Sequence, residues 1–368
     1  MNTTTITTAA AQYANRPKDE RFASLGDMIA AARQEKDASL EFNFNAKDLR
    51  IVADSSRVEL QSPSGTVAGF THWSFGQFCR SVSAPADYLR RIPAALAADC
   101  LNHGLKTTPP ASDFNLLIRQ NDNGTLTTRA ATSDKYARVW DAAFFGAVEQ
   151  MITGQDHRWT TPPTWDGEPA GVYRGDRDSF VILTNGGSIV NDPSIRGGNG
   201  QMFRGLLISN SEVGARALVI EQILFEFVCG NHNLWGAVID QRYRRRHVGT
   251  GLNREAIRQI ARIAYDWTNR SAAADEAIVR SLIANQIAAT KDGVTDELRK
   301  LGATVEQAEA AYKAVERSDK YTASPRSFWG IAQGLTETSQ ASGFQDTRYV
   351  LDQIAAKVIA KGSRLVAA

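Results

Sequence analysis

MFRGLLISNSEVGARALVIEQILFEFVCGNHNLWGAVIDQRYRRRHVGTGLN, residues 202–253, is the stretch around which the chain is organised. Its first half is apolar and dense in β-branched and aromatic residues, closing at Cys229, Gly230 and Asn231. Such runs, bounded by turn residues, predict buried strands, beginning with one over MFRGLLISNS. A further extended segment then carries Trp235 toward Arg242, Arg244, Arg245 and Arg246, followed by His247 and the turn Gly249-Thr250-Gly251. A helix is expected to start at about Asn253. The most hydrophobic part of the chain thus adjoins its densest positive charge, and an anion is the natural ligand of such a platform.

Working outward, residues 114–120 and 125–133 alternate around Asn121-Asp122-Asn123-Gly124, and Asn-Gly at the tip predicts a β-hairpin. Its second strand leads past Ser133 to a helix fixed by Ala143, Phe144, Ala147, Val148 and Met151, with Tyr136–Val139 extended until Trp140. Residues 170–185 read as two more strands around a Gly-Asp-Arg-Asp turn, and glycine-rich 186–200 as a flexible loop lacking any phosphate-loop or dinucleotide fingerprint. On the N-terminal side, Leu25, Met28, Ile29 and Ala32 form one helical face. Phe42, Phe44, Leu49, Ile51 and Arg57–Leu60 suggest strands. Residues 74–104, cut at Pro85 and Pro93, suggest short helices with Phe78, Leu89, Ile92 and Leu96 inward and Cys79 and Cys100 buried or half-buried. After residue 253 the pattern is helical throughout, over 253–270, 275–289, 304–318 and 346–362. The expected fold is α+β: an antiparallel sheet body with packed helices over 21–250, a helical C-terminal portion over 251–368, and a disordered tail over 1–20.

The chain has 368 residues, 43% of them hydrophobic, with seven Trp and fifteen Phe, which excludes a disordered protein. A net charge of +2 means that affinity for nucleic acid must come from a local patch. Three widely spaced cysteines exclude a disulfide framework, and no apolar run reaches the ~20 residues of a membrane span, so the expected setting is the cytoplasm, with no membrane partner.

Three readings of the basic stretch follow. Read as a strand, it places Arg242, Arg244 and Arg246 on one face and Tyr243, Arg245 and His247 on the other. Arg254, Arg258 and Arg262 form a helical stripe, and Gly249 and Gly251 precede the helix N-terminus, where backbone N–H groups attract anions. Lys135 and Arg138 could extend the surface, with Trp235 or Tyr243 stacking on bases. The leading expectation is a non-enzymatic protein that binds single-stranded nucleic acid. The alternatives are an enzyme acting on a nucleotide or phosphorylated small molecule at residues 249–253, and a module that blocks a host defence factor. Cys229, His232 and His247 lack the second ligand pair of a zinc site, and no metal or cofactor is expected. Glu212, in Asn-Ser-Glu-Val-Gly, is either a functional carboxylate or a turn cap.

SDKY after the hairpin, FRGLLISNSEVG, FEFVCGNHNLWG and RRRHVGTG together resemble phage/plasmid-like proteins classed as a domain of unknown function. The resemblance spans about residues 40–355, departing at His232, where relatives often carry Gly. It implies mobile-element biology and, with it, contact with single-stranded DNA in replication or recombination. Strand-annealing recombinases also combine a strand–helix body with a basic groove, an analogy at the level of fold that makes a homo-oligomer natural.

Overall fold

A computed structural model describes residues 20–54, 56–107, 113–154, 159–161, 171–197, 200–228, 231–235, 242–249, 251–341 and 345–366. Its centre is a three-strand meander. Strand β9 (Ser179–Asp192) pairs with β10 (Gly200–Asn210), and β10 with β11 (Leu218–Val228), all antiparallel. Alternation gives this sheet two apolar faces. Val181, Leu183, Leu206 and Ile208 enter the main core, while Phe180, Ile182 and Leu207 enter a smaller one on the other side. Short β7 (Trp159–Thr160) and β8 (Val172–Arg174) flank β9. The outer edge of β11 is taken in tandem by β12 (Asn231–Trp235) and β13 (Arg242–Arg245), antiparallel to its last and first halves.

The expected flexible loop at 186–200 is corrected here. β9 continues through Gly186 and Gly187 to Asp192, so only 193–199 separates it from β10. Two glycines hid a strand whose pairing partner supplies the missing order, as Val190 opposite the fully buried Met202 shows.

A second sheet runs β1 (Ser39–Asn45), β5 (Asp113–Gln120), β6 (Leu126–Ser133), β4 (Val67–Phe70), β3 (Val58–Gln61), β2 (Arg50–Ala53), antiparallel except for the β4–β6 pair. The Asn-Gly hairpin is β5–β6, closed by Asn121 N–H donating to Thr125 O at 2.8 Å. One face is covered by α2 (His72–Ser81) and α4 (Ala94–Thr107), with short α3 (Ala86–Leu89) between them. Pro93 restarts the helical phase, so α4 buries Ala97, Ala98, Leu101 and Leu105. Leu96 is left 49% exposed and Cys100 exposed, against the expectation that Leu96 packs inward and Cys100 is buried or half-buried.

Helices account for the rest: α1 (Leu25–Asp37), α5 (Asp141–Gly154), α6 (Leu252–Asn269), α7 (Ala272–Ala284), α8 (Lys291–Lys300), α9 (Val305–Arg317), α10 (Phe328–Ala341) and α11 (Gln345–Val366). Leu25, Met28, Ile29 and Ala32 are all buried, as the spacing predicts. Thr304 and Gln307 close a capping box at the start of α9. The C-terminal helices share the main core with β9–β11, each buried Leu, Ile or Val contributing roughly 1.5–3 kcal/mol. Arg204, 1% exposed, fixes the α6–α7 corner to β10. Its guanidinium donates twice to Asp275 Oδ2, at 3.1 and 2.6 Å, and to the Trp267 carbonyl at 3.0 Å. None of the helices described is long and apolar enough to cross a membrane. The expected tail at 1–20 lies outside the described residues except for Glu20.

Candidate nucleic-acid interface

On α6, Leu252, Ala256, Ile260, Ile263 and Trp267 are buried, which turns the opposite face to solvent. That face carries Arg254, Arg258 and Arg262, all exposed. At 3.6 residues per turn Tyr265 falls inside the same arc of about 80°, and it is 62% exposed. Arg244, Arg245 and Arg246, at the end of β13, are exposed as well. The two groups meet where Arg245 approaches Glu255 at 3.4 Å, a solvated pair worth at most about 1 kcal/mol. Arg262 sits 3.7 Å from Asp266. Among the described residues no carboxylate pairs with Arg244, Arg246, Arg254 or Arg258.

The connection between β13 and α6 turns on Gly249 and Gly251, whose φ of +88° and +78° lie in the left-handed region that suits glycine. Gly251 at the N-cap of α6 offers no side-chain acceptor to the N–H groups of its first turn. Tyr136 bridges to Val248, and Ala137 N–H donates to the His247 carbonyl at 2.9 Å, which brings exposed Lys135 alongside Gly249. Lys135 and the glycine turn, distant in sequence, are neighbours in space.

Other expected members lie elsewhere. Tyr243, opposite Ile220, is half-buried and packs on the main core. The two-faced arginine strand does not form, because β13 stops at Arg245 and His247 turns inward, leaving Arg244–Arg246 all outside. His247 is 4% exposed, and the Arg138 side chain 1% exposed, so neither reaches a strand laid on the surface. Trp235 and Arg242 are placed by their backbones, opposite Leu224 and Glu221; their side chains, like Cys229, are outside the described residues.

Behind this surface a buried ionic network joins the two sheets. Glu212, 3% exposed, follows β10 and faces Arg129 of β6 at 3.1 Å and Arg174 of β8 at 3.5 Å. The same two arginines hold Glu35 of α1, which Arg119 also reaches at 2.7 Å. Glu212 Oε1 accepts from Asp141 N–H at 2.9 Å and so caps the start of α5. Arg138 donates to the Glu212 carbonyl and to Asn115 Oδ1 at 2.7 Å. Asp141 accepts from Ser179 at 2.6 Å and Asn210 at 2.7 Å. Gly214, with φ of +77°, ends the loop where a Cβ would meet Gln77 Nε2 at 3.3 Å. Burial raises the Glu212 pKa, the Asp141 charge adds to it, and Arg129 and Arg174 oppose both. For Glu35 burial also works against the charge, but Arg174, Arg129 and Arg119 outweigh it and hold the carboxyl below its usual range.

Sequence reasoning singled out Glu212 but missed its partners. The signal was present: Arg129 stands mid-strand between threonines and alanines, and Arg174 ends an apolar strand, positions where an unpaired charge is costly. Arg138, read as surface charge, belongs to this network.

His247 Nε2 lies 2.9 Å from Asn210 Oδ1. The Asn210 amide already donates to the Val139 carbonyl and Asp141, so its oxygen accepts and the proton sits on Nε2. Burial pushes the His247 pKa down to about 4, a backbone hydrogen bond at Arg216 opposes this, and Arg138 adds to the depression. The ring is therefore neutral at pH 7. The unfolded chain binds the extra proton first, so stability falls as pH drops from about 6.5 toward about 4, by up to roughly 3 kcal/mol. Urea unfolding of the wild type and of His247→Gln across this window should show stabilities that converge toward acid. A constant difference at every pH would mean that His247 does not titrate on unfolding.

This arrangement defines an α+β protein with a charged inter-sheet seam and an exposed basic strand–helix surface. The chain belongs to the family described as a domain of unknown function (DUF932), which matches residues 130–358 and so takes in the end of the second hairpin strand, the central sheet, the basic stretch and the helices into α11. No curated protein and no solved structure matches the chain.

Proposed function

We propose that the protein binds single-stranded DNA along the surface of β13 and α6, in the replication or recombination of a mobile genetic element. One observation carries this reading: six exposed arginines, 244–246 and 254, 258 and 262, line one strand end and one helix face in a chain whose net charge is only +2. A phosphodiester backbone is the ligand that a row of solvated guanidinium groups fits, because each phosphate neutralised releases counterions. The glycine turn with Lys135 beside it supplies backbone donors midway along the row. The resemblance to phage/plasmid-like proteins supports a role in a mobile element, and the annealing recombinases supply an analogy for strand handling.

A labelled single-stranded oligonucleotide titrated with the protein at low salt tests the reading by fluorescence polarisation. Saturable binding supports it, and no binding at low salt refutes it. A thermal shift with mononucleotides and no strand binding would move the assignment to a phosphorylated small molecule.

Tyr265 supplies the aromatic platform within this reading, in place of half-buried Tyr243. Base–aromatic stacking is worth roughly 1–3 kcal/mol per base, so Tyr265→Ala should weaken binding about tenfold and Tyr265→Phe hardly at all. An oligonucleotide of abasic sites should erase the difference between wild type and Tyr265→Ala. Equal affinity of wild type and Tyr265→Ala for a normal strand would show that no base stacks there.

A further inference from the structure

β1 is an edge strand of seven residues whose only strand partner among the described residues is β5. Gln120 N–H donates to the Ala38 carbonyl at 2.9 Å, which sets the phase of the ladder. Leu40, Phe42 and Phe44 bond to β5 through their backbones, while Glu41 and Asn43 turn their N–H and C=O groups to the free edge. Leu40, Phe42 and Phe44 stand opposite Ile118, Leu116 and Phe114 and so continue the apolar face of the second sheet. That face remains uncovered at the edge: Leu40 is 64% exposed and Phe42 37%.

Natural sheets protect such edges with outward lysines, prolines or bulges. β1 has none of these. Its one charge, Glu41, is turned toward its own chain, 3.2 Å from Arg138 Nε and accepting from Asn115 Nδ2 at 3.2 Å. The other end of the sheet differs: β2 has four residues and opens on exposed Arg50.

We infer that β1 pairs with β1 of a second copy of this chain, antiparallel about a two-fold axis at Phe42. The sequence SLEFNFN is self-complementary in that register. Residues 40–44 pair with one another: Phe42 meets Phe42, Leu40 meets Phe44, and Glu41 meets Asn43 with no like charges opposed. The outward groups of Glu41 and Asn43 exchange both hydrogen bonds, and the two six-stranded sheets become one. Because β13 and α6 take no part, the dimer presents two basic surfaces.

Sedimentation of the full chain should give twice the 40.2 kDa of one copy. Phe42→Lys and Asn43→Pro should each return the monomer, with thermal unfolding confirming that the variants fold. The register is read by cysteine cross-linking in a Cys100→Ser background. Phe42→Cys should form a disulfide-linked dimer under mild oxidation, since its own copy lies about 4.5 Å away between Cα atoms. Leu40→Cys should not, its own copy being four residues, about 14 Å, along the strand. A monomeric wild type overturns the inference, as does a dimer that survives both folded variants or one in which Leu40→Cys cross-links and Phe42→Cys does not.

Discussion

Glu212→Ala is expected to cost about 3–5 kcal/mol of unfolding free energy, a large part of the 5–15 kcal/mol that holds a typical domain. The wild-type carboxylate is 3% exposed and faces Arg129 and Arg174, whose side chains are 5% and 9% exposed. Alanine would leave those cations short of counter-charge in a place water does not reach, and would also remove the acceptor for Asp141 N–H. Glu35→Ala meets the same two arginines but should cost less. Glu35 is 13% exposed, its partner Arg119 is 34% exposed, and both line an open cleft of about 530 Å³ beside the hairpin tip. Urea unfolding of the two variants gives the order directly. A Glu212→Ala protein within 1 kcal/mol of wild type would mean that the inter-sheet network contributes little to stability.

The second large effect concerns binding. Changing Arg244, Arg245 and Arg246 to alanine together should weaken the affinity for single-stranded DNA about a hundredfold at low salt, at roughly 1 kcal/mol for each exposed contact. The fold should not change, because all three are solvent-facing and among the described residues only Arg245 has an acidic neighbour, Glu255, whose side chain is 40% exposed. Unchanged melting with lost binding separates this variant from Glu212→Ala. The His247→Gln variant should bind as wild type at pH 7.5, since a buried neutral ring makes no phosphate contact.

Much of this architecture is legible in the residues. The β5–β6 hairpin follows from Asn-Gly between two alternating runs, and the inward face of α1 follows from helical spacing. The strand MFRGLLISNS was equally plain. What escapes is whatever long-range pairing decides. Gly186 and Gly187 argue for a loop until the pairing of β10 with β9 on both sides of them is seen, Arg204 with Asn185 and Phe203 with Ile189. Arg138 and His247 look like members of a basic surface because local sequence carries no record of depth. Only the Tyr136–Val248 bridge and the Asn210 amide show that these side chains turn inward. Arg129, Arg174, Glu35 and Glu212 are separated by up to 177 positions and form one network only once the sheets face each other. Tyr265 is hidden for a simpler reason: a tyrosine in an amphipathic helix reads as core until its angle to the arginine stripe is taken, and it is 62% exposed.

The most direct test of the basic surface is the salt dependence of binding, log K against log salt concentration for one labelled single strand. Six arginines on phosphates give a slope of about −4 for the wild type, and removing Arg244, Arg245 and Arg246 makes it shallower by about 2, at roughly 0.7 per contact. A slope near zero, or one that is the same in wild type and triple variant, would contradict the assignment of the phosphate backbone to β13 and α6.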